Sequence, residues 1–366
     1  MQPAFWQGKK VLLTGHTGFK GSWLALWLER LGAEVTGVAL APPTQPSLFE
    51  QARVAEGMVS LEADIRERDA VRDPLERCGG EVVFHLAAQS LVRRSYREPL
   101  ETFSTNVMGT AKVLEAARRV PSVRAVVVVT SDKCYENLES RDGYREEDRL
   151  GGHDPYAASK ACAELVTAAY RRSYFSADDA TIAVATGRAG NVIGGGDWAE
   201  DRLVPDLIRG LAAGRPVSIR HPDAVRPWQH VLEPLAGYLT LAEALWQRGA
   251  EVAEAWNFGP ETDELLTVGE IAEMLCQRWS PPGEWIHDAA DHPPETGLLH
   301  VDSSKARRRL GWRPRWSVRR SLDSILEWHR AAAEGGDPRQ VTLRQIADYE
   351  RSIGTARTTR ERRTSQ

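Results

Sequence analysis

Lys10-Val11-Leu12-Leu13-Thr14-Gly15-His16-Thr17-Gly18-Phe19-Lys20-Gly21 decides how this chain folds. A short apolar run ends in glycines spaced Gly-x-x-Gly-x-x-Gly. Residues 18–31 then place Phe19, Trp23, Leu26, Trp27 and Leu31 near helical spacing. Strand, glycine turn and helix, in that order, seat a dinucleotide pyrophosphate. The glycines permit a tight turn and close backbone approach, and the helix N-terminus presents free N–H groups to the phosphates. Gly15, Thr17, Gly18, Phe19 and Lys20 are the residues expected at that seat.

Downstream the same alternation continues. Residues 34–39, 58–62, 81–85, 125–130 and 181–186 read as strands; 66–78, 99–119 and 156–170 read as helices. The stretch 125–130 is all Ala and Val up to Thr130, as a strand covered on both faces would be. The expectation is an α/β fold of Rossmann type, a doubly wound parallel sheet with helices on both faces. After Arg188 the texture changes. Gly194-Gly195-Gly196, Pro205, Pro216, Pro222, Pro227, Pro234, Pro281, Pro282, Pro293 and Pro294 break the chain into short pieces. Residues 1–190, with about 226–260 returning to the sheet, are therefore assigned to a dinucleotide-binding domain. Residues 191–225 and 261–335 form a smaller C-terminal α/β substrate lobe, and 336–366 a terminal helix with a basic, flexible tail.

Composition narrows the function classes. The 366 residues carry a net charge of −4 with acids and bases interspersed, which argues against nucleic acid or an anionic membrane as partner. No apolar run is long enough to span a bilayer, and no leader segment precedes the first strand. Cys78, Cys134, Cys162 and Cys276 lie far apart, without a Cys-x-x-Cys pair. A cytoplasmic setting is expected. The histidines show no His-x-His or His-x-x-x-His pairing, so no metal is expected.

The chemistry is carried by two short stretches. Tyr156 and Lys160 are four apart on a helix and share a face. A nearby ammonium, and the charge of an oxidised nicotinamide, would lower the tyrosine pKa toward neutrality, where it serves as a base. Ser131-Asp132-Lys133 follows the strand 125–130, and carboxyl ends of parallel strands are where ligands bind. A simple dehydrogenase needs the tyrosine, the lysine and a hydroxyl; an added acid and amine suggest cleavage of a C–O bond as well. The end of the second strand, Val38-Ala39-Leu40-Ala41-Pro42, has neither the acid that holds an adenine ribose nor an arginine for a 2′-phosphate, so NAD and NADP stay open at this point. Asp64 is either a partner for the adenine amino group or a helix N-cap.

Thr14 to Gly21, Phe84-His85-Leu86-Ala87-Ala88-Gln89, Asn106 with Gly109, Tyr156 with Lys160, and Arg188-Ala189-Gly190-Asn191-Val192-Ile193-Gly194 together resemble the nucleotide-sugar branch of the extended short-chain dehydrogenase/reductases. The likeness covers about residues 6–330. Within that branch the chain is most similar to the CDP-glucose 4,6-dehydratases, through Thr130-Ser131-Asp132-Lys133-Cys134-Tyr135-Glu136-Asn137, Gly15 to Trp23 and Arg226-Pro227-Trp228-Gln229-His230. Related dTDP-glucose dehydratases carry Thr-Asp-Glu at 131–133.

The resemblance implies NAD as a regenerated cofactor and CDP-glucose as substrate. Ser131, Asp132, Lys133, Tyr156 and Lys160 would be catalytic. Gly15, Thr17, Gly18, Phe19, Lys20, Asp64, Ile65, Leu86, Ala87, Ala88, Gln89, Asn106 and Thr130 would line the cofactor, together with Tyr156 and Lys160. Gln89, Ser131, Asn191, Trp198, Arg226, Trp228 and His230 would meet the substrate, although Trp198 and Trp228 read equally well as core. Lys133 is either the base at C5 or a stabiliser of the enolate. The helices 99–119 and 156–170 would form a homodimer interface, with pairing to a tetramer left open. The rivals are a 4-epimerase or another nucleotide-sugar dehydratase on the same scaffold, and a non-catalytic NAD-binding sensor. Epimerases need no acid aimed at C6, and sensors tend to lose the tyrosine or the lysine.

Overall fold

Seven parallel strands form one sheet at the centre of the computed structural model, which describes residues 1–175, 181–290 and 297–364. The strands are β1 (Lys10–Thr14), β2 (Glu34–Ala39), β3 (Val59–Glu62), β4 (Val82–His85), β5 (Ala125–Val129), β6 (Ala183–Ala189) and β7 (Ala255–Phe258). Their spatial order is β7-β6-β5-β4-β1-β2-β3. The order reverses between β1 and β4, so the crossovers leave toward opposite faces there and open a crevice at the carboxyl ends. Every residue of β5 and β6 is buried, because helices cover both faces.

The layers come from α1 (Phe19–Arg30), α2 (Arg72–Cys78), α3 (Thr110–Arg119), α4 (Pro155–Tyr174), α5 (Leu203–Ala212), α6 (Leu232–Arg248), α7 (Val268–Arg278), α8 (Val318–Ala333) and α9 (Pro338–Thr364). Helix α1 buries Trp23, Leu24, Leu26, Trp27 and Leu28. The Trp27 indole donates to Glu350 at 3.0 Å, fastening α9 across α1. The second lobe has its own core, where Leu207 and Ile208 of α5, Ile271 and Leu275 of α7, and Leu322 and Ile325 of α8 meet.

Four expectations shift. The helix foreseen over 66–78 begins only at Arg72, because Asp69 adopts φ +63° and breaks the run. The run 99–119 is helical throughout but widens into a π-turn at Ser104–Gly109. The strand foreseen over 181–186 is shifted to Ala183–Ala189, which draws Arg188 inside. The basic stretch expected to fray continues α9 as helical backbone to Thr364. Strand β7 pairs with β6 at the edge of the sheet, following α6. Pro293 and Pro294 lie outside the described residues. Among the described residues no helix is long and apolar enough to cross a membrane, and no group of three or more His, Cys, Asp or Glu could hold a metal ion.

Candidate active site

The glycine turn sits at the crevice floor. Gly15 has φ +79°, and a Cβ there would stand 2.6 Å from the Ala87 backbone nitrogen, so only glycine lets β1 close on the end of β4. A Cβ at Gly21 would meet the Gly15 carbonyl oxygen at 2.0 Å. Thr14 cross-links the floor: its hydroxyl meets His85 Nδ1 at 2.8 Å and accepts from the Ala87 N–H at 3.2 Å. Leu86, Ala87 and Ala88 are half-buried along it. Helix α1 starts at Gly18 with no side-chain cap, leaving its first N–H groups open. Thr17 ties the turn to β2 through the Leu40 carbonyl at 2.9 Å. His16 is fully buried, with Nε2 2.7 Å from the Ser60 hydroxyl. Burial holds its pKa down to about 4.

Helix α4 aims the tyrosine and the lysine. Asp154 caps it, accepting from the Ala157 N–H at 2.9 Å, and Pro155 starts the first turn. The Tyr156 N–H donates to the Ser95 hydroxyl at 3.1 Å. Asn106, in the π-turn, donates to the Ser159 hydroxyl at 2.8 Å and to the Gln89 carbonyl at 2.9 Å, so the residue between Tyr156 and Lys160 is pinned to the cofactor side. Lys160 Nζ donates to the Val129 carbonyl at 3.3 Å. Burial, partly offset by Glu164, brings its pKa down to about 8.

Beyond β5 the chain turns sharply. The Ser131 hydroxyl accepts from the Lys133 N–H at 3.2 Å and donates to Asp132 Oδ1 at 3.0 Å. Ser131 stands close enough to the Tyr156 phenol to act on its pKa, which brings the two halves of the constellation together. Asp132 is buried, and its Oδ2 has no hydrogen-bond partner. Burial raises its pKa, against the pull of Lys133, Ser131, Arg226 and Lys20. The Tyr156 pKa is pushed up to about 12. Burial dominates there, while the Lys160 ammonium is turned to the Val129 carbonyl.

The other expected residues divide. Arg226 donates to the Val225 carbonyl at 3.0 Å and stands close enough to act on the Asp132 charge. Asn191 lies half-buried after β6, its carbonyl accepting from the Gln229 N–H. Ile65 packs against Gly109, where a Cβ would come within 2.6 Å of it. Gln89 is turned inward, donating to Thr102 at 2.9 Å and accepting from the Leu91 N–H at 2.6 Å. Thr130 is taken up by Glu164 at 2.5 Å. Asp64 accepts from the Arg66 backbone and guanidinium, which hold its pKa below the usual carboxylate range; it caps a turn, since α2 starts later. His230 has no exposed surface and lies between Trp23 and Trp316, and Trp228 is buried with its indole donating to the Leu266 carbonyl at 3.0 Å. Trp198 stands on Trp328 and His329 and donates to Gln51 at 2.9 Å. Among the described residues, the His230 Nε2 has no hydrogen-bond partner.

Sequence reasoning missed Asp197 with Arg202, a pair at 2.9 Å whose cation reaches the Tyr156 field, and Glu164 with Arg188. Glu164 carried one signal, its four-residue step from Lys160. Arg202 carried none.

Residues 12–325 match the family model described as GDP-mannose 4,6 dehydratase. The chain is 49% identical over 348 residues to CDP-glucose 4,6-dehydratase of Salmonella typhimurium, covering 94% of this chain and 97% of that one. The crystal structure of a dTDP-glucose 4,6-dehydratase double mutant from Streptomyces venezuelae, with NAD and DAU bound, superposes with TM-score 0.73 at 26% identity, over 90% of this chain and 99% of that one. A UDP-glucose-4-epimerase from Stenotrophomonas maltophila gives TM-score 0.78 at 22% identity, over 90% and 100%, a likeness of fold alone.

Proposed function

The chain belongs to the GDP-mannose 4,6-dehydratase family, and on that premise we propose that it is a CDP-glucose 4,6-dehydratase working with NAD. The observation that carries this is Asp132 Oδ2, a buried carboxyl oxygen left without a partner beside a Ser131–Tyr156 pair. A 4-epimerase has no step that uses such an acid.

The crevice fits the dinucleotide. Gly15 and Gly21 leave no room for side chains, and the open start of α1 offers N–H groups to a pyrophosphate. When bound, NAD supplies the redox function, taking hydride from C4 of the hexose and giving it back at C6. Tyr156 accepts the proton of the C4 hydroxyl, with Ser131 holding that oxygen. The fall from a pKa of about 12 that this requires would be supplied by the charge of a bound oxidised nicotinamide and by the Lys160 ammonium four residues along α4. The resulting ketone acidifies C5. Lys133, half-buried next to Asp132, is placed to take that proton or to stabilise the enolate. Asp132, whose pKa burial raises, gives its proton to the C6 hydroxyl as the C–O bond breaks, and water leaves. Arg226 and Asn191 offer polar contacts for the diphosphate and sugar.

A homodimer is the assembly proposed. Leu100, Met108, Leu165 and Tyr174 are exposed apolar side chains on the helical run from Pro99 and on α4, and a second copy would cover them. The described cysteines are all free, in keeping with a reducing cytoplasm.

Purified protein given CDP-glucose should develop the alkaline ultraviolet band of a 4-keto sugar. The dTDP-, UDP- and GDP-glucose reactions should be slower. Tyr156→Phe should cut turnover by about 10³-fold. Product retaining its C6 hydroxyl would mark an epimerase and sink the assignment.

A further inference from the structure

Gly190 follows β6, and the space a side chain would fill there is already taken. A Cβ at Gly190 would stand 2.7 Å from Asp132 Oδ2 and 2.4 Å from the Pro227 ring. The carboxyl oxygen that lacks a hydrogen-bond partner among the described residues therefore rests on bare Gly190 backbone, in a slot whose other wall is Pro227. Both walls are tied down. The chain after Gly190 is held by the Gln229 N–H on the Asn191 carbonyl at 3.1 Å and the Val231 N–H on the Ile193 carbonyl at 2.8 Å. Pro227 sits at the corner of a tight turn, where the Trp228 N–H donates to the Arg226 carbonyl at 3.1 Å, and the Trp228 indole is anchored on the Leu266 carbonyl. The carboxyl group is the movable part. Its other oxygen accepts from the Ser131 hydroxyl at 3.0 Å, itself the end of a rotatable side chain.

We propose that Gly190 is a positioning residue for the loss of water: having no side chain, it seats the Asp132 carboxyl so that the free oxygen faces the C6 hydroxyl of the hexose. The inference rests on the dehydratase reading above. It adds that residue 190 decides how far the reaction runs, and not whether it starts. Oxidation at C4 uses Tyr156 and Ser131. Elimination needs, in addition, a proton delivered from Asp132 to the C6 oxygen. The electrons of the C5–H bond then form the C5–C6 double bond as the C6–O bond breaks. A side chain at 190 would meet the fixed Pro227 turn on one side and the movable carboxyl on the other. The carboxyl would give way, because rotating a side-chain end costs less than displacing a packed turn. Moving the acid by about 1 Å is enough to take it out of line with the oxygen it must protonate.

The test is Gly190→Ala, alone and combined with Asp132→Asn, with NAD supplied and CDP-glucose as substrate. Gly190→Ala should lower kcat for water loss by about 10²-fold, with KM for CDP-glucose within about threefold of wild type. Reduced-cofactor absorbance should build up stoichiometrically, since C4 oxidation runs and elimination stalls. The double variant should be no more than about threefold slower than Asp132→Asn alone, because a seat has no effect once the acid is gone. Losses that multiply in the double variant would show Gly190 acting independently of Asp132 and would overturn the proposal. Wild-type turnover in Gly190→Ala would overturn it too, as would a loss of kcat/KM carried wholly by KM. Should the alanine variant not fold, Gly190→Ala with Pro227→Ala removes the ring contact, keeps the carboxyl contact and gives the same readings against Pro227→Ala. If that pair also fails to fold, Gly190 serves packing and the proposal falls. Wild type that forms no 4-keto-6-deoxy sugar from CDP-glucose would instead remove the dehydratase reading itself.

Discussion

Two buried carboxyl groups near helix α4, Glu164 on it and Asp132 in the turn after β5, are built into the fold by opposite rules. The inner cluster centres on Glu164. Its Oε1 accepts from Thr130 at 2.5 Å, and its Oε2 from Thr186 and Arg188, both at 2.8 Å. Arg188 in turn donates to the Tyr135 hydroxyl at 2.7 Å, and Tyr135 donates to Asn257, also at 2.7 Å. Burial pushes the Glu164 pKa up, yet the guanidinium and two hydroxyls outweigh it and hold it below the usual range. The outer cluster centres on Asp132. One oxygen accepts from Ser131, the other from nothing, and burial wins. A carboxylate with both oxygens answered is a fastener. One left half-answered at the same depth destabilises the fold unless a ligand or a reaction completes it.

The largest expected effect falls on the fastener. Glu164→Ala leaves the Arg188 cation buried and unpaired, and should cost about 3–5 kcal/mol of unfolding free energy by denaturant titration. Replacing both, as Glu164→Leu with Arg188→Met, should recover much of that loss. A double variant no more stable than Glu164→Ala alone would mean that the network holds geometry by shape rather than by charge. The two carboxyl groups also predict opposite pH slopes. Glu164, lowered, contributes stability that is present above the ordinary carboxylate range and drains away as pH falls through its own lower value. Asp132, raised, does the reverse: its cost is absent in acid and appears as pH rises through its folded value. The difference in stability between Asp132→Asn and wild type should therefore shrink as the solution is acidified.

Asp132→Asn comes next. Loss of the acid should slow water elimination by about 10²–10³-fold. C4 oxidation needs only Tyr156 and Lys160 and should survive, leaving a stoichiometric rise of reduced-cofactor absorbance when CDP-glucose is added. The same variant should unfold about 1 kcal/mol harder than wild type, since an amide is cheaper to bury than a half-answered carboxylate. A stability loss instead would show that Asp132 is also a fastener, and the contrast with Glu164 would collapse.

Legibility follows the range of the interactions. The glycine turn, the β5 run and the Tyr156–Lys160 step are local, so their meaning is visible within a dozen residues. The parallel sheet was legible because strands alternating with helices allow few topologies, whereas the order of its strands was not read from the sequence. The fastener was not. Thr130, Glu164, Arg188 and Asn257 come from β5, α4, β6 and β7, and no spacing in the chain announces that they meet. His230 and Trp228 read two ways for a related reason. Residues able to frame a sugar are equally able to fill a core, and Trp23 and Trp316 stand on either side of His230. Tyr156 was legible in part: four-residue spacing shows that Lys160 shares its face, but not that the ammonium turns to Val129.

The smallest effect separates aim from strength. Asp154 caps α4 two residues before Tyr156, and Pro155 already fixes the backbone of the first turn. Asp154→Ala should therefore cost only about 0.5–1 kcal/mol, at the low end for a lost cap. Turnover should change by less than about threefold, because the Ser95 bond to the Tyr156 N–H and the Asn106 bond to Ser159 still hold the first turn from its other side. A large fall in turnover with little loss of stability would reverse that assignment. It would place the orientation of Tyr156 in the cap rather than in the Asn106 bridge, and the outer cluster would then depend on a half-exposed loop instead of the buried helices beside it.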